Sequence, residues 1–227
     1  MNCIERLAEL DSGLISDVLD EAGWPMHALD VSLRPVSPGA RLVGRAACIR
    51  GEPIVAGRHA PAALPGDAIE SVAAKDAVIV LSTGGYRDAA PVGGLVSMSL
   101  MSRGATGLVT DGAVRDSQEL ADMGFPVFSA ALSPINATRR WRFVEVNVPV
   151  PMPGAGGATV TVLPGDLILG DADGIVVIPQ AFAEQVIEDA EELKSIEARI
   201  AAAMRDGMTR IAAFAAHPRF AHVRPLV

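Results

Sequence analysis

The sequence predicts an α/β fold whose second half turns into a β-rich layer and ends in one long helix. Three observations predict it. Residues 77–82 (AVIVLS) and 107–112 (GLVTDG) are nearly continuous apolar runs rich in branched side chains, the mark of strands buried on both faces. Helix-like segments alternate with these runs, and strand, helix, strand, helix, strand implies parallel pairing through crossover helices. From residue 142 onward short β-rich runs are cut by Gly and Pro turns, until a helical stripe takes over at 180–206.

The elements follow in order. Residues 11–23 (DSGLISDVLDEAG) read as a helix that Asp11 or Ser12 can cap. Its Leu14, Ile15, Val18 and Leu19 recur at helical spacing, and Gly23 ends it. Pro35, Pro38 and Gly39 mark a turn before a strand at 41–50. Residues 51–66, rich in Gly, Pro, Ala and His, read as a loop, and 67–75 as a short helix. Gly84 and Gly85 follow the strand at 77–82. Gly93 and Gly94 then open an apolar helical segment in which Met98 and Met101 read as core packing. The strand at 107–112 leads to a short helix at 117–124 and a third strand at 125–129. Four short strands follow at 142–150, 158–163, 166–171 and 174–179. GDADG, at 170–174, reads as a hairpin turn, because it lacks the further ligands of a calcium loop. In the long helix Phe182, Val186, Ala190, Leu193, Ile196, Ile200 and Met204 form one stripe, and the last twenty residues carry no strong pattern.

With 227 residues, half of them apolar, the chain fits one domain over 1–227. A net charge of −8 opposes general affinity for nucleic acid, which rests on neutralising phosphates. It also means that an acidic substrate needs a local cation, either a metal or a committed arginine. Cys3 and Cys48 form neither a disulfide framework nor a zinc motif. The first twenty residues carry acids throughout and lack the apolar run of a signal peptide, and no apolar stretch is long enough to span a membrane. These features predict a cytoplasmic protein with no membrane partner.

The stretch that carries chemistry is 93–129. Gly93 and Gly94 stand at an expected helix N-terminus, where free N–H groups and the helix dipole favour an anion. Two glycines also simply make a tight turn. Arg115 and Asp116 sit at the exit of a buried strand, where ligands bind in open α/β sheets. There an arginine can grip a carboxylate with paired hydrogen bonds, and an aspartate can hold a hard cation. The same dipeptide also occurs as a surface pair or a helix cap. His27, His59, His217 and His222 show no zinc spacing and read as surface or packing residues, with His59 in GRHAP nearest the expected pocket.

DGAVRD followed by ELADMGFPVF, with a Gly-Gly-Leu loop about twenty residues upstream, resembles a known family. It contains regulator of ribonuclease activity A and the 4-hydroxy-4-methyl-2-oxoglutarate/4-carboxy-4-hydroxy-2-oxoadipate aldolases. ISDVLDEAG, PGARLVGRA, DAVIVLSTGG and PGDLILGDADGIVVIP extend the resemblance over roughly 11–207, leaving a divergent tail at 208–227. The resemblance implies a three-layer β/β/α, swivelling-domain-like fold and a homotrimer or homohexamer with sites between subunits. It implies that Arg115 binds the pyruvoyl end of a small 2-oxo acid and that Asp116 is the direct ligand of Mg²⁺ or Mn²⁺. The amides of Gly93, Gly94, Leu95 and Val96 would complete the pyruvate pocket. Glu197 matches a catalytic glutamate that the family supplies from the adjacent subunit, and it also reads as an ordinary exposed helix residue.

The chain departs from that pattern in places. The acid that often follows the first loop glycine is Gly94 here, an Asp-Asn pair is replaced by Asp67-Ala68, and Asp88 is the nearby candidate to stand in for the lost acid. The implied reaction is metal-assisted cleavage of a C–C bond through a pyruvate enolate, as in an aldolase or an oxaloacetate decarboxylase. It needs no Schiff base, and Lys75 and Lys194, the lysines present, are remote from the motif in sequence. The competing reading is a non-catalytic regulator that binds a partner protein. A methyltransferase is disfavoured by the absence of a glycine-rich nucleotide fingerprint.

Overall fold

The computed structural model describes residues 2–55 and 63–226; His59 lies outside them. The strands are β1 (Arg34–Pro35), β2 (Leu42–Pro53), β3 (Ala77–Ser82), β4 (Gly107–Val114), β5 (Val127–Leu132), β6 (Trp141–Val146), β7 (Val150–Pro153), β8 (Thr159–Val162), β9 (Leu167–Gly170) and β10 (Ile175–Ile178). Eight of them form a sheet in the order β1-β5-β4-β3-β2-β9-β10, with β6 paired to the far half of β2. The links β2–β3, β3–β4 and β4–β5 are parallel, and every residue of β3 and β4 is buried, as their unbroken apolar runs predict.

Side-chain alternation along each strand divides the sheet into two faces. Val78 and Val80 point to one face, where Val150, Met152, Val160 and Val162 of the separate β7–β8 hairpin cover them. Ile79 and Leu81 point to the other face, under α3 (Gly94–Ser102) and α4 (Ser117–Met123) through Leu100 and Leu120. Further along that second face, α1 (Cys3–Leu7), α2 (Ser12–Glu21) and α5 (Ala183–Arg205) bury Leu7, Ile15, Leu19, Val186 and Leu193 against Leu167 and Leu169. Each such Leu, Ile or Val contributes about 2 kcal/mol of burial. The result is the three-layer β/β/α arrangement.

Several boundaries differ from expectation for local reasons. The run 142–150 is two strands in two sheets, because Asn147 takes φ 54 and turns the chain out of the main sheet. Residues 51–53, expected as loop, continue β2 because β6 pairs with them. The expected helix at 67–75 is one 3-10 turn, Ala68–Val72. α1 and α6 (Arg210–Ala216) were not foreseen, although both carry caps: a reciprocal Asn2–Glu5 capping box, and Thr209 accepting from the Ala212 N–H. Met98 and Met101 are not core residues. α3 turns Gly94, Ser97 and Leu100 inward at three-residue steps, which leaves both methionines outward at 48% and 40% exposure. GDADG does close the β9–β10 hairpin, and its Asp171 accepts from the Ser12 backbone and hydroxyl at the start of α2. Among the described residues, no helix is long and apolar enough to cross a membrane.

Candidate active site

The fold brings Arg115 and Asp116 against Gly93 and Gly94 through backbone pairing. Val92 bridges Val114 in parallel, and the Arg115 N–H donates to the Val92 carbonyl at 3.1 Å. Asp116 then adopts a left-handed conformation, φ 59 and ψ 40, which ends β4 and starts α4 in a single residue. Asp is among the few side chains that tolerate this region, and such outliers gather at functional sites. The turn folds both side chains back toward the glycines. Asp116 Oδ2 accepts the Gly94 N–H at 3.1 Å and lies 3.4 Å from Arg115 Nε. Both side chains remain about one-third exposed.

The glycines are there for space. Gly93 is extended, a conformation open to any residue, yet a Cβ on it would stand 2.8 Å from Arg115 Cγ and closer still to the Asp116 carboxylate. A Cβ on Gly94 would fall within the carboxylate of Glu119. Glu119 therefore fills the volume left by the missing side chain at 94. Sequence reading missed this, although Glu119 lies three residues after Asp116 at the start of α4, a spacing that shares a helix face.

A buried acid, Asp111, shapes the surroundings. Asp111, 4% exposed in β4, accepts from the Thr83 N–H (2.6 Å), the Thr83 hydroxyl (2.8 Å) and the Gly85 N–H (2.8 Å). That clamp fixes the loop after β3, where Gly84 and Gly85 both need the left-handed φ values of 72 and 73. The Thr83 carbonyl in turn accepts the Trp141 indole N–H at 3.3 Å. Trp141 thereby becomes a wall of a cavity of about 490 Å³ that also includes Gly93, Leu95, Val96, Arg115 and Phe143. Gly93 brings no capping side chain and Asp116 takes the Gly94 N–H, so the amides of Leu95 and Val96 are those left at the start of α3 for an anion.

Other residues singled out from the sequence lie elsewhere. Glu197, on α5, borders a separate depression and is ion-paired with Arg219, which also holds Asp17, so a single chain does not bring it to Arg115. Asp88 contributes its carbonyl to the Ser133 hydroxyl at 3.0 Å, while the carboxylate packed on Gly94 is that of Glu119. Asp67 precedes the 3-10 turn without capping it, and Ala68 is buried in the core. His27 is buried between Ser16 and the Trp24 carbonyl, and His222 bonds the Asp189 carbonyl, both as packing residues. Among the described residues, no three His, Cys, Asp or Glu side chains cluster as a metal cage. The donor set at the strand exit is a carboxylate with open surroundings. That suits Mg²⁺ or Mn²⁺, which bind through one or two carboxylates and take water and substrate oxygens for the rest.

The class is thus a three-layer β/β/α protein whose candidate site stands at the C-terminal end of a parallel strand. This chain belongs to the RraA-like family, whose Aldolase/RraA model matches residues 13–177. It is 28% identical over 214 residues to protein DlpA of Legionella pneumophila, covering 92% of this chain but 32% of DlpA. It is 29% identical over 214 residues to a Halalkalibacterium halodurans protein named "Putative 4-hydroxy-4-methyl-2-oxoglutarate aldolase", covering 93% and 92% of the two chains. A crystal structure of an uncharacterized protein from Pseudomonas syringae pv. tomato superposes with a TM-score of 0.82 at 28% identity, covering 94% and 93%.

Proposed function

We propose that this chain is a divalent-metal-dependent lyase that cleaves a C–C bond of a small 2-oxo acid. The observation that carries the reading is Arg115 and Asp116 folded back together onto the N-terminus of α3, where Asp116 takes the Gly94 N–H. Arg115 offers a fork of N–H donors to the substrate carboxylate and fixes its orientation. The amides of Leu95 and Val96, next in α3 after the Gly94 N–H that Asp116 takes, would meet the oxygen on which charge develops as the bond to the pyruvoyl group breaks. A Mg²⁺ or Mn²⁺ ion held by Asp116 would supply Lewis acidity toward the 2-oxo group. Glu119, packed on Gly94, places a carboxylate beside these groups that can relay a proton.

The same reading includes assembly into a trimer or hexamer, with Glu197 of one subunit serving the Arg115 site of its neighbour. Two features support it. Leu95, Met98, Leu132 and Ile135 expose apolar surface on α3, at the end of β5 and in the loop after it, next to the site. The Glu197 side chain is 40% exposed. The reading also places the protein in the cytoplasm, acting on a small molecule and not on nucleic acid, in keeping with its net charge of −8. The test is a panel of 2-oxo acids, including oxaloacetate and 4-hydroxy-4-methyl-2-oxoglutarate, assayed for pyruvate release with and without Mg²⁺. Metal-dependent release from at least one supports a lyase. Silence across the panel leaves the partner-binding regulator as the reading to pursue.

A further inference from the structure

The first turn of α4 carries an acid whose placement its own helix does not explain. Glu119 is the third residue after the cap Asp116. In α1 the glutamate at the same position, Glu5, reaches back to the N–H of the cap Asn2 at 2.9 Å and completes a capping box. Asn2 is extended there, whereas Asp116 is left-handed, and Glu119 lies across on α3 instead. A Cβ on Gly94 would fall within its carboxylate. That contact gives a carboxylate nothing in return: a glycine CH₂ offers no donor, and the Gly94 N–H already goes to Asp116 Oδ2 at 3.1 Å. Two carboxylates thus meet one glycine, and the guanidinium of Arg115, 3.4 Å from Asp116, offsets the charge of one. Like charges held this way favour a further cation.

From this placement, and resting on the metal-dependent reading above, we infer that Glu119 is the second carboxylate of the divalent-cation site, delivered there because residue 94 has no side chain. Mg²⁺ and Mn²⁺ are held through one or two carboxylates and keep water at other positions. Asp116 supplies the first carboxylate. Glu119 adds its charge and accepts hydrogen bonds from that water, which strengthens the hold on the ion without replacing Asp116. Asp116 and Glu119 both belong to the start of α4, three residues apart, whereas Gly94 belongs to α3. The cation site therefore depends on how the two helices pack, and a methyl group at position 94 is enough to displace Glu119 from it.

The test is Mn²⁺ binding to the full chain without substrate, read from the loss of the free ion's paramagnetic resonance signal. The wild type should bind, and Asp116→Ala should not. Glu119→Gln keeps the size of the side chain and should weaken binding about tenfold. Gly94→Ala keeps both carboxylates but occupies the space of one, and should weaken binding comparably. The double variant should be no weaker than the worse single one, because both changes remove the same contact. Asp122→Asn removes an equal charge from the last turn of α4, where Asp122 accepts from Gln118 at 2.8 Å. It should leave affinity within about twofold, since salt screens an exposed charge farther along the helix. Wild-type affinity in Glu119→Gln, an equal loss in Asp122→Asn, or losses that add in the double variant would overturn the inference and leave Asp116 as the ligand. Failure of the wild type to bind Mn²⁺ would instead overturn the cation site itself, and this inference with it.

Discussion

The exit of β4 and the far end of α5 both gather charge at the surface, but the charge is matched in different ways. At the helix end Arg219 contacts Asp17 and Glu197 and lies over the rings of Phe220 (4.7 Å) and Phe214 (5.9 Å). That arginine is enclosed on several sides and ties the C-terminal tail to α2 and α5. At the strand exit Arg115 meets Asp116 at the looser distance of 3.4 Å, flanked by two glycines and an open cavity. A satisfied network braces a fold, whereas a loosely paired cation and anion beside a cavity, set by a left-handed residue, have capacity left for a ligand. Within one chain Glu197 is a brace on Arg219, and only a neighbouring copy could give it another task.

The sharpest way to break the comparison is to remove one member of each region. Arg115→Ala and Glu197→Ala should each be nearly inactive alone. Dissociated and reassociated together, they should regain part of the activity, since some interfaces pair an intact Arg115 with an intact Glu197. Absence of recovery, or a monomer by light scattering, would return Glu197 to the brace role alone. Arg115→Lys keeps the charge but loses the fork, and should reduce kcat about 100-fold as well as raising KM. An effect confined to KM would show that the guanidinium only docks substrate.

Smaller effects separate the two kinds of glycine. A Cβ on Gly51 would overlap the Trp141 ring and the Arg142 carbonyl, which are fixed, so Gly51→Ala should cost about 3 kcal/mol and lower Tm by about 8 °C. Gly94→Ala meets only the flexible end of Glu119 and should cost under about 1 kcal/mol in a urea melt. Smallest is a pH effect at Asp171. Burial raises its carboxyl, but hydrogen bonds from the Ser12 hydroxyl and backbone, Asp173 and Gly174 outweigh this and hold it below its ordinary value. Its contribution is therefore present above the ordinary aspartate range and fades as pH falls through the lowered folded value. Asp171→Asn should flatten the acid limb of the stability curve, and an unchanged acid limb would remove that anchor.

How much of this was legible in the sequence follows from what each signal depends on. The buried strands at 77–82 and 107–112 were plain because burial on both faces leaves no polar position to blur the pattern. The split at Asn147 was not, since one residue's left-handed backbone interrupts a β-rich run without changing its composition. Arg115 and Asp116 stood out through the DGAVRD resemblance, and their position at the strand exit follows from topology. Glu119 was hidden because its place over Gly94 depends on how α4 packs on α3. Met98 and Met101 misled for a related reason: an apolar composition all round α3 gives no stripe to say which side faces inward.

The central claim is that Asp116 holds the cation the chemistry needs, and a Mg²⁺ titration of pyruvate release tests it most directly. For the wild type, stripped with EDTA, activity should fall to background and return saturably as Mg²⁺ or Mn²⁺ is restored. Asp116→Ala should stay folded by circular dichroism yet remain about 1000-fold down at any metal concentration, as expected when a preorganised charge is removed from the reacting centre. Full wild-type activity in EDTA, or an Asp116→Ala protein with the metal dependence of the wild type, would contradict the account.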